Sequence, residues 1–276
     1  MIFDNYLESV PKIHSWDGGR TWTTGGFNAD QLRDIYIFLQ RQGRQLRFIE
    51  VGAGNSTIVF NFLDPSKVVS IAPDKELFNR IIKEMCKYCL DEERLEAIID
   101  YSEWTLPRLA KDCLTPVFDV CLIDGEHNFP NVFLDFFYMN YMMKKGGVMF
   151  IDDLQIYSCN QLSEFLRHER DFELVFDIGK LKGYCRNSDR RILSGWKSGY
   201  NMAMMADISG CVCSKYDRFI GKAGAGVPDL AEENRRLIIK LAENDRKIQA
   251  LKESWSWRLT APMRKAMSIL KAGSKK

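Results

Sequence analysis

Asp124-Gly125-Glu126-His127 follows the apolar run Phe118 to Ile123, and Asp152-Asp153 follows Val148 to Ile151. Apolar runs of this length read as buried strands, so Asp124, Asp152 and Asp153 are expected at the tips of two neighbouring strands. Carboxylates that converge in this way repel one another unless a cation sits among them. Hard oxygen ligands favour Mg²⁺, Ca²⁺ or Mn²⁺. Glu126 and His127 stand beside the acids, and an imidazole that titrates near neutrality is suited to taking a proton from a reacting hydroxyl. His127 is the first candidate base and Glu126 the second. The bland alternative has Asp153 capping a helix, Asp124 capping a turn and His127 in a structural role.

A second stretch, Phe48 to Thr57, begins apolar and ends in Gly52-Ala53-Gly54-Asn55-Ser56-Thr57. Asn, Ser and Thr cap helices well, so a strand, a glycine turn and a helix N-terminus are expected. That combination suits an anionic or polar ligand, with glycine letting the backbone approach where a side chain would collide. The next apolar strand, Val68 to Ile71, leads to Asp74, 22 positions after Gly52. Such an acid is placed to meet a ribose. Ser56 or Thr57 stands where dinucleotide-binding loops carry a third glycine, which argues for a ligand without a pyrophosphate.

Glu50-x-Gly52-x-Gly54, Phe118 to His127 and Gly146 to Asp153 occur in that order, and together they resemble the motifs of class I S-adenosylmethionine-dependent methyltransferases. The resemblance covers about residues 45 to 186. It implies S-adenosylmethionine as cofactor, with Glu50, Gly52, Gly54 and Ser56 at its methionine end and ribose. It also implies Asp74 at the ribose, Ser102 and Glu103 at the adenine, and Asp124 beside them. Ala72 occupies the position where the family usually has its ribose-binding acid. In metal-dependent O-methyltransferases of the catechol and sugar type, acids matching Asp124, Asp152 and Asp153 bind Mg²⁺.

The elements that would position these groups alternate regularly. Asn28-x-x-Gln31 reads as a capping box opening a helix with Leu32, Ile35, Tyr36 and Leu39 on one face. Further helices are expected after Gly54 and over Phe78–Leu90, Trp104–Lys111, Val132–Lys144 and Ser158–Arg170. Strands are expected at Arg47, Val68–Ile71, Leu95–Ile99, Val117–Ile123 and Val148–Ile151, with a closing hairpin at Phe172–Ile178 and Lys182–Arg186. The fold class is therefore α/β: a Rossmann-like, doubly wound, mostly parallel seven-stranded sheet, followed by a C-terminal helical, coiled-coil extension. Residues 1–28, with His14, Trp16, Trp22 and two Gly-Gly pairs, form an arm packed on the core or a lid. Residues 29–190 form the methyltransferase domain.

Residues 191–228 lose periodicity and act as a linker. Leu230, Leu237, Asn244 and Leu251, interleaved with Asn234, Leu241 and Ile248, give a coiled-coil seam over 229–253 and an expected homo-oligomer. Residues 254–276 form a basic amphipathic tail with six Lys or Arg and no acid, leaving 33 basic and 37 acidic side chains elsewhere. A mildly acidic body does not fit nucleic-acid binding. The tail suits an anionic membrane surface, and its Ser254–Arg264 segment resembles one that trails coiled coils in bacterial glycosyltransferases. With no signal peptide, no spanning segment and eight scattered cysteines, the expected location is cytoplasmic, peripheral to the inner membrane. The implied activity is O-methylation of a saccharide or other small-molecule hydroxyl in surface-polysaccharide assembly. Phenol methylation and an inactive scaffold are the rivals.

Overall fold

The computed structural model describes residues 2–43 and 45–191. The linker, coiled-coil and basic-tail expectations, apart from residue 191, lie outside the described residues. The chain divides into two units, 1–207 and 208–276, and everything described belongs to the first.

Its elements are helix α1 (Ile2–Glu8), α2 (Ala29–Gln40), strand β1 (Arg47–Val51), α3 (Asn55–Phe62), β2 (Lys67–Ile71), α4 (Lys75–Lys87) and β3 (Leu95–Ile98). There follow α5 (Ser102–Asp112), β4 (Phe118–Ile123), α6 (Asn131–Met142), β5 (Met143–Ile151), α7 (Tyr157–His168), β6 (Phe172–Asp177) and β7 (Lys182–Arg186). The sheet order is β3-β2-β1-β4-β5-β7-β6. Strands β1 to β5 run parallel, and β7 is antiparallel to both β5 and β6. The seven-stranded, mostly parallel expectation holds.

Successive side chains of a strand face opposite sides of a sheet, and here both sides are covered. Phe48, Val68, Val120, Leu122, Val148 and Phe150 pack under α1 to α4. Ile49, Val51, Val69, Ile71, Cys121, Ile123, Met149 and Ile151 pack under α5 to α7. Burial on both faces is why the central strands read as unbroken apolar runs. The arm joins the first layer through Tyr6, Leu7, Ile13 and Phe27.

Several boundaries moved for identifiable reasons. Helix α4 starts three residues before Phe78 because Asp74 caps it, accepting from the Leu77 N–H at 3.1 Å. Helix α6 stops at Met142 rather than running to the glycine pair, and β5 carries Gly146 and Gly147 within it. Met143 pairs with Phe118, and Lys144 Nζ reaches both Asp119 carboxylate oxygens at 3.0 and 3.1 Å. Gly146 has φ +77°, a conformation glycine adopts without strain, and this absorbs the register shift between Phe118 and Val120. The capping box at the start of α2 is present as expected, Asn28 and Gln31 each bonding the other's backbone N–H. Asn28→Ala should lower stability by about 1 kcal/mol, read as a shifted urea midpoint with unchanged slope.

Candidate active site

All five parallel strands point their C-terminal ends at one edge, where open α/β sheets hold their ligands. Two cavities open there. One of about 450 Å³ is lined by His14, Gly52, Gly54, Ser56, Asp74, Asp124, His127 and Asp153, among others. A larger one of about 820 Å³ includes Gly52, Ala72, Asp100, Ser102, Glu103, Glu126 and His127. Trp16, Gly52, Ala72, Pro73, Gly125 and His127 border both, so the two are halves of one groove. A third cavity of about 420 Å³ lies across Asp153, between the arm and Lys180.

The glycine loop is built as expected, and both of its glycines also meet neighbours within the chain. Gly52 has φ +85°, and a Cβ there would lie 2.0 Å from the Asp124 carbonyl oxygen. Its bare backbone is thus required by the crossing of the β1 and β4 loops, and it also borders both cavities. A Cβ at Gly54 would lie 2.7 Å from His14 Nε2, so that glycine makes room for the arm.

Glu50 is one of the residues expected at the methionine end and ribose of the cofactor. It is fully buried and lines neither cavity. It accepts from Ser56 Oγ at 2.9 Å and from Thr57 Oγ1 and Ser70 Oγ at 2.5 Å each. One carboxylate therefore ties β1 to its neighbour β2 and to the first turn of α3. Asp74 does border the smaller cavity. Its carboxylate is already engaged by the α4 cap and by Arg80 Nη2 at 3.1 Å.

The acid cluster forms as expected at the tips of β4 and β5, with a partner the sequence reading missed. Lys180 Nζ lies 2.9 Å from Asp152 Oδ2 and 3.3 Å from Asp153 Oδ1, and 4.8 Å above the Phe27 ring. Because β7 is antiparallel to β5, with Lys182 opposite Ile151, the turn before β7 must lie beyond the tip of β5. That pairing was the available signal for Lys180.

His127 sits between the other two acids: Nδ1 is 3.2 Å from Asp153 Oδ2, and Nε2 is 3.6 Å from Asp124 Oδ1. Nε2 and Asp152 Oδ1 are buried without hydrogen-bond partners. Burial, then the Asp152 charge, pushes the Asp124 carboxyl well above the usual range. Burial also raises Asp152, against the Lys180 ammonium. Burial would raise Asp153 too, yet the Gln155 amide, Lys180 and His127 hold it below its ordinary value.

Ligand atoms of Asp124, His127 and Asp153 lie within 4.8 Å of one another. This differs from the expected set of Asp124, Asp152 and Asp153 by having His127 in place of Asp152. The two orphaned atoms and this donor set fit a divalent cation.

The arm reaches the groove through two latches that sequence reasoning did not find. Asn55 Nδ2 donates to the Pro11 and Thr24 carbonyls at 3.1 and 2.6 Å, and its Oδ1 accepts from Tyr6 Oη at 2.7 Å. Arg80 Nε donates to the Ile13 carbonyl at 2.8 Å, and its guanidinium lies 5.0 Å from the Trp22 ring centre. Asn55 reads from sequence as an ordinary helix-start residue, and only the three-dimensional path of the arm gives it this role.

Residues 49–154 match the family described as methyltransferase domain. No curated protein matches the chain. Among solved structures, the O-methyltransferase TomG from Streptomyces achromogenes, involved in tomaymycin synthesis and solved in complex with SAM, is similar at 16% identity. That match has a TM-score of 0.50 and covers 59% of this chain and 82% of that one. An O-methyltransferase from Bacillus cereus in complex with SAH has 15% identity and a TM-score of 0.49, over 67% and 90% of the two chains. Residues 49–154 thus carry the similarity to a methyltransferase domain, on a fold shared with the TomG structure.

Burial raises Glu50 from 4.5 to about 7. A carboxyl raised in the folded state contributes stability below its unfolded pKa and loses it as pH rises through the folded one. The decline should therefore run from about pH 4.5 to 7. Asp135, raised by burial to about 7, acts in the same direction, as do Asp124 and Asp152. Glu50→Gln should flatten part of this decline in urea titrations across that range. A wild-type slope in the variant would show that Glu50 does not titrate there.

Proposed function

We propose that the chain transfers a methyl group from S-adenosylmethionine to a hydroxyl of a saccharide or similar polyhydroxylated small molecule. The cofactor would lie along the divided groove, its amino-acid end toward Gly54 and its adenine toward Ser102 and Glu103. When bound it supplies an electrophilic methyl on a sulfonium. The observation that carries the reading is the placement of His127 at the junction of the two cavities and the acid cluster. Asp153 Oδ2 lies 3.2 Å from Nδ1, and Nε2 is left without a hydrogen-bond partner. With its proton on Nδ1, facing Asp153, the imidazole would use Nε2 as the base, taking the hydroxyl proton as the oxygen takes the methyl. Asp153, held below its ordinary value, stabilises the imidazolium that forms.

The cavity across Asp153 supports the saccharide class. It is bordered by Thr24, Asn28, Gln31, Gln155 and Lys180, with Phe27 as its one aromatic. The capping box consumes the side-chain oxygens of Asn28 and Gln31, leaving their NH₂ groups to donate. A wall of amide and ammonium donors suits an oxygen-rich acceptor better than a planar phenol.

A second reading has Asp124, His127 and Asp153 holding a divalent cation such as Mg²⁺ or Mn²⁺, which would polarise the hydroxyl; the fit of the donor set favours it. In both readings His127→Ala should retain S-adenosylhomocysteine binding and lose turnover by roughly a hundredfold or more. The base reading expects activity to survive EDTA, whereas loss with recovery on adding Mn²⁺ assigns His127 to the metal. Unchanged turnover in His127→Ala would overturn both.

For the C-terminal segment we propose a homo-oligomer through residues 229–253, with peripheral membrane contact through 254–276. Among the described residues no helix is long and apolar enough to cross a membrane, and attachment would rest on the six basic residues and on Trp255 and Trp257. A chain ending at Pro228 should have a smaller mass in light scattering and lose affinity for anionic vesicles. The same mass and affinity as the full chain would contradict this role.

A further inference from the structure

The arm's His14 occupies a slot that two separate glycines leave open. A Cβ at Gly25 would lie 2.7 Å from its Cδ2, and a Cβ at Gly54 would lie 2.7 Å from its Nε2. The slot is fixed on every side. His14 pairs with Thr23 through both backbone hydrogen bonds, at 3.1 and 2.8 Å. Its ring stacks on Trp16 with centres 5.7 Å apart and planes inclined by 17°. The backbone on either side is clamped by Asn55 and Arg80. The ring nonetheless borders the smaller cavity, and neither ring nitrogen has a hydrogen-bond partner among the described residues. Burial and then the Arg80 charge depress its pKa, so the imidazole is neutral at pH 7 and offers one N–H and one lone pair.

We infer that His14 is a cofactor-binding residue, its neutral imidazole making a polar contact with the amino-acid end of the cofactor over Gly54. The inference rests on the cofactor reading above. It explains why a glycine-rich arm is anchored so firmly over the nucleotide loop: the arm supplies a wall of the site. It also gives the second glycine of the loop a purpose, which is to seat the imidazole against the ligand.

The test is calorimetric titration of the full-length protein with two ligands. S-adenosylhomocysteine has the amino-acid end, and 5′-methylthioadenosine lacks it. His14→Ala should weaken S-adenosylhomocysteine binding roughly fivefold to tenfold, the effect of one neutral hydrogen bond, and leave methylthioadenosine unchanged. His14→Gln, which keeps a neutral N–H donor, should recover part of the loss. Gly54→Ala should weaken S-adenosylhomocysteine in the wild-type background and add little to His14→Ala, because its methyl group then displaces nothing.

Equal weakening of both ligands would make His14 a structural residue only, and unchanged binding of both would remove it from the site. Either result overturns the inference while leaving the cofactor reading intact. Failure of the wild-type protein to bind S-adenosylhomocysteine overturns both.

Discussion

Asp152 is wholly buried at the tip of β5, and Lys180 is the cation that lets it stay there. An uncompensated carboxylate in that position would be expelled or protonated. The ammonium bridges Asp152 and Asp153, so it also fixes the acid that orients His127. The geometry of the proposed base therefore depends on the β6–β7 turn. The antiparallel last strand thus has a chemical role, because pairing β7 with β5 delivers a positive charge to the site from an element that contributes no lining to the main groove.

A second dependence runs through the arm. Asn55 opens the helix that follows the glycine loop, and its amide binds three points of the arm at once. Glu50 holds the same turn from beneath through Ser56 and Thr57. The loop is thus gripped from both sides before any ligand arrives. Such pre-organisation lowers the ordering cost of binding. Both glycines of that loop, Gly52 and Gly54, are explained by neighbours within the chain.

Most of the frame was legible because its signals are local. The alternation of strands and helices gave the sheet, the Asn28 and Gln31 pair gave a helix start to the residue, and the apolar runs of β1, β2 and β4 gave the central strands. The end of α6 was missed because Met142 and Met143 suit a helix and a buried strand equally, and only pairing with Phe118 decides between them. Asp74 was read as a ligand contact when its nearer obligation is to cap α4. Glu50 looked like a site residue because it adjoins Gly52, but strand alternation turns its side chain into the layer beneath α3. His14, Asn55 and Lys180 act across 40, 31 and 28 positions of sequence, on Gly54, Thr24 and Asp152 respectively, and such pairings follow from topology, not from local pattern.

Amide hydrogen exchange with and without S-adenosylhomocysteine tests the central claim most directly, because it locates a bound ligand as well as detecting it. The account predicts slowed exchange in the loops after β1, β2, β3 and β4, over residues 52–57, 72–77, 100–103 and 124–128, and in the arm around His14. The opposite edge of the sheet should not change. Protection confined to any other face, or none at saturating ligand, would contradict it.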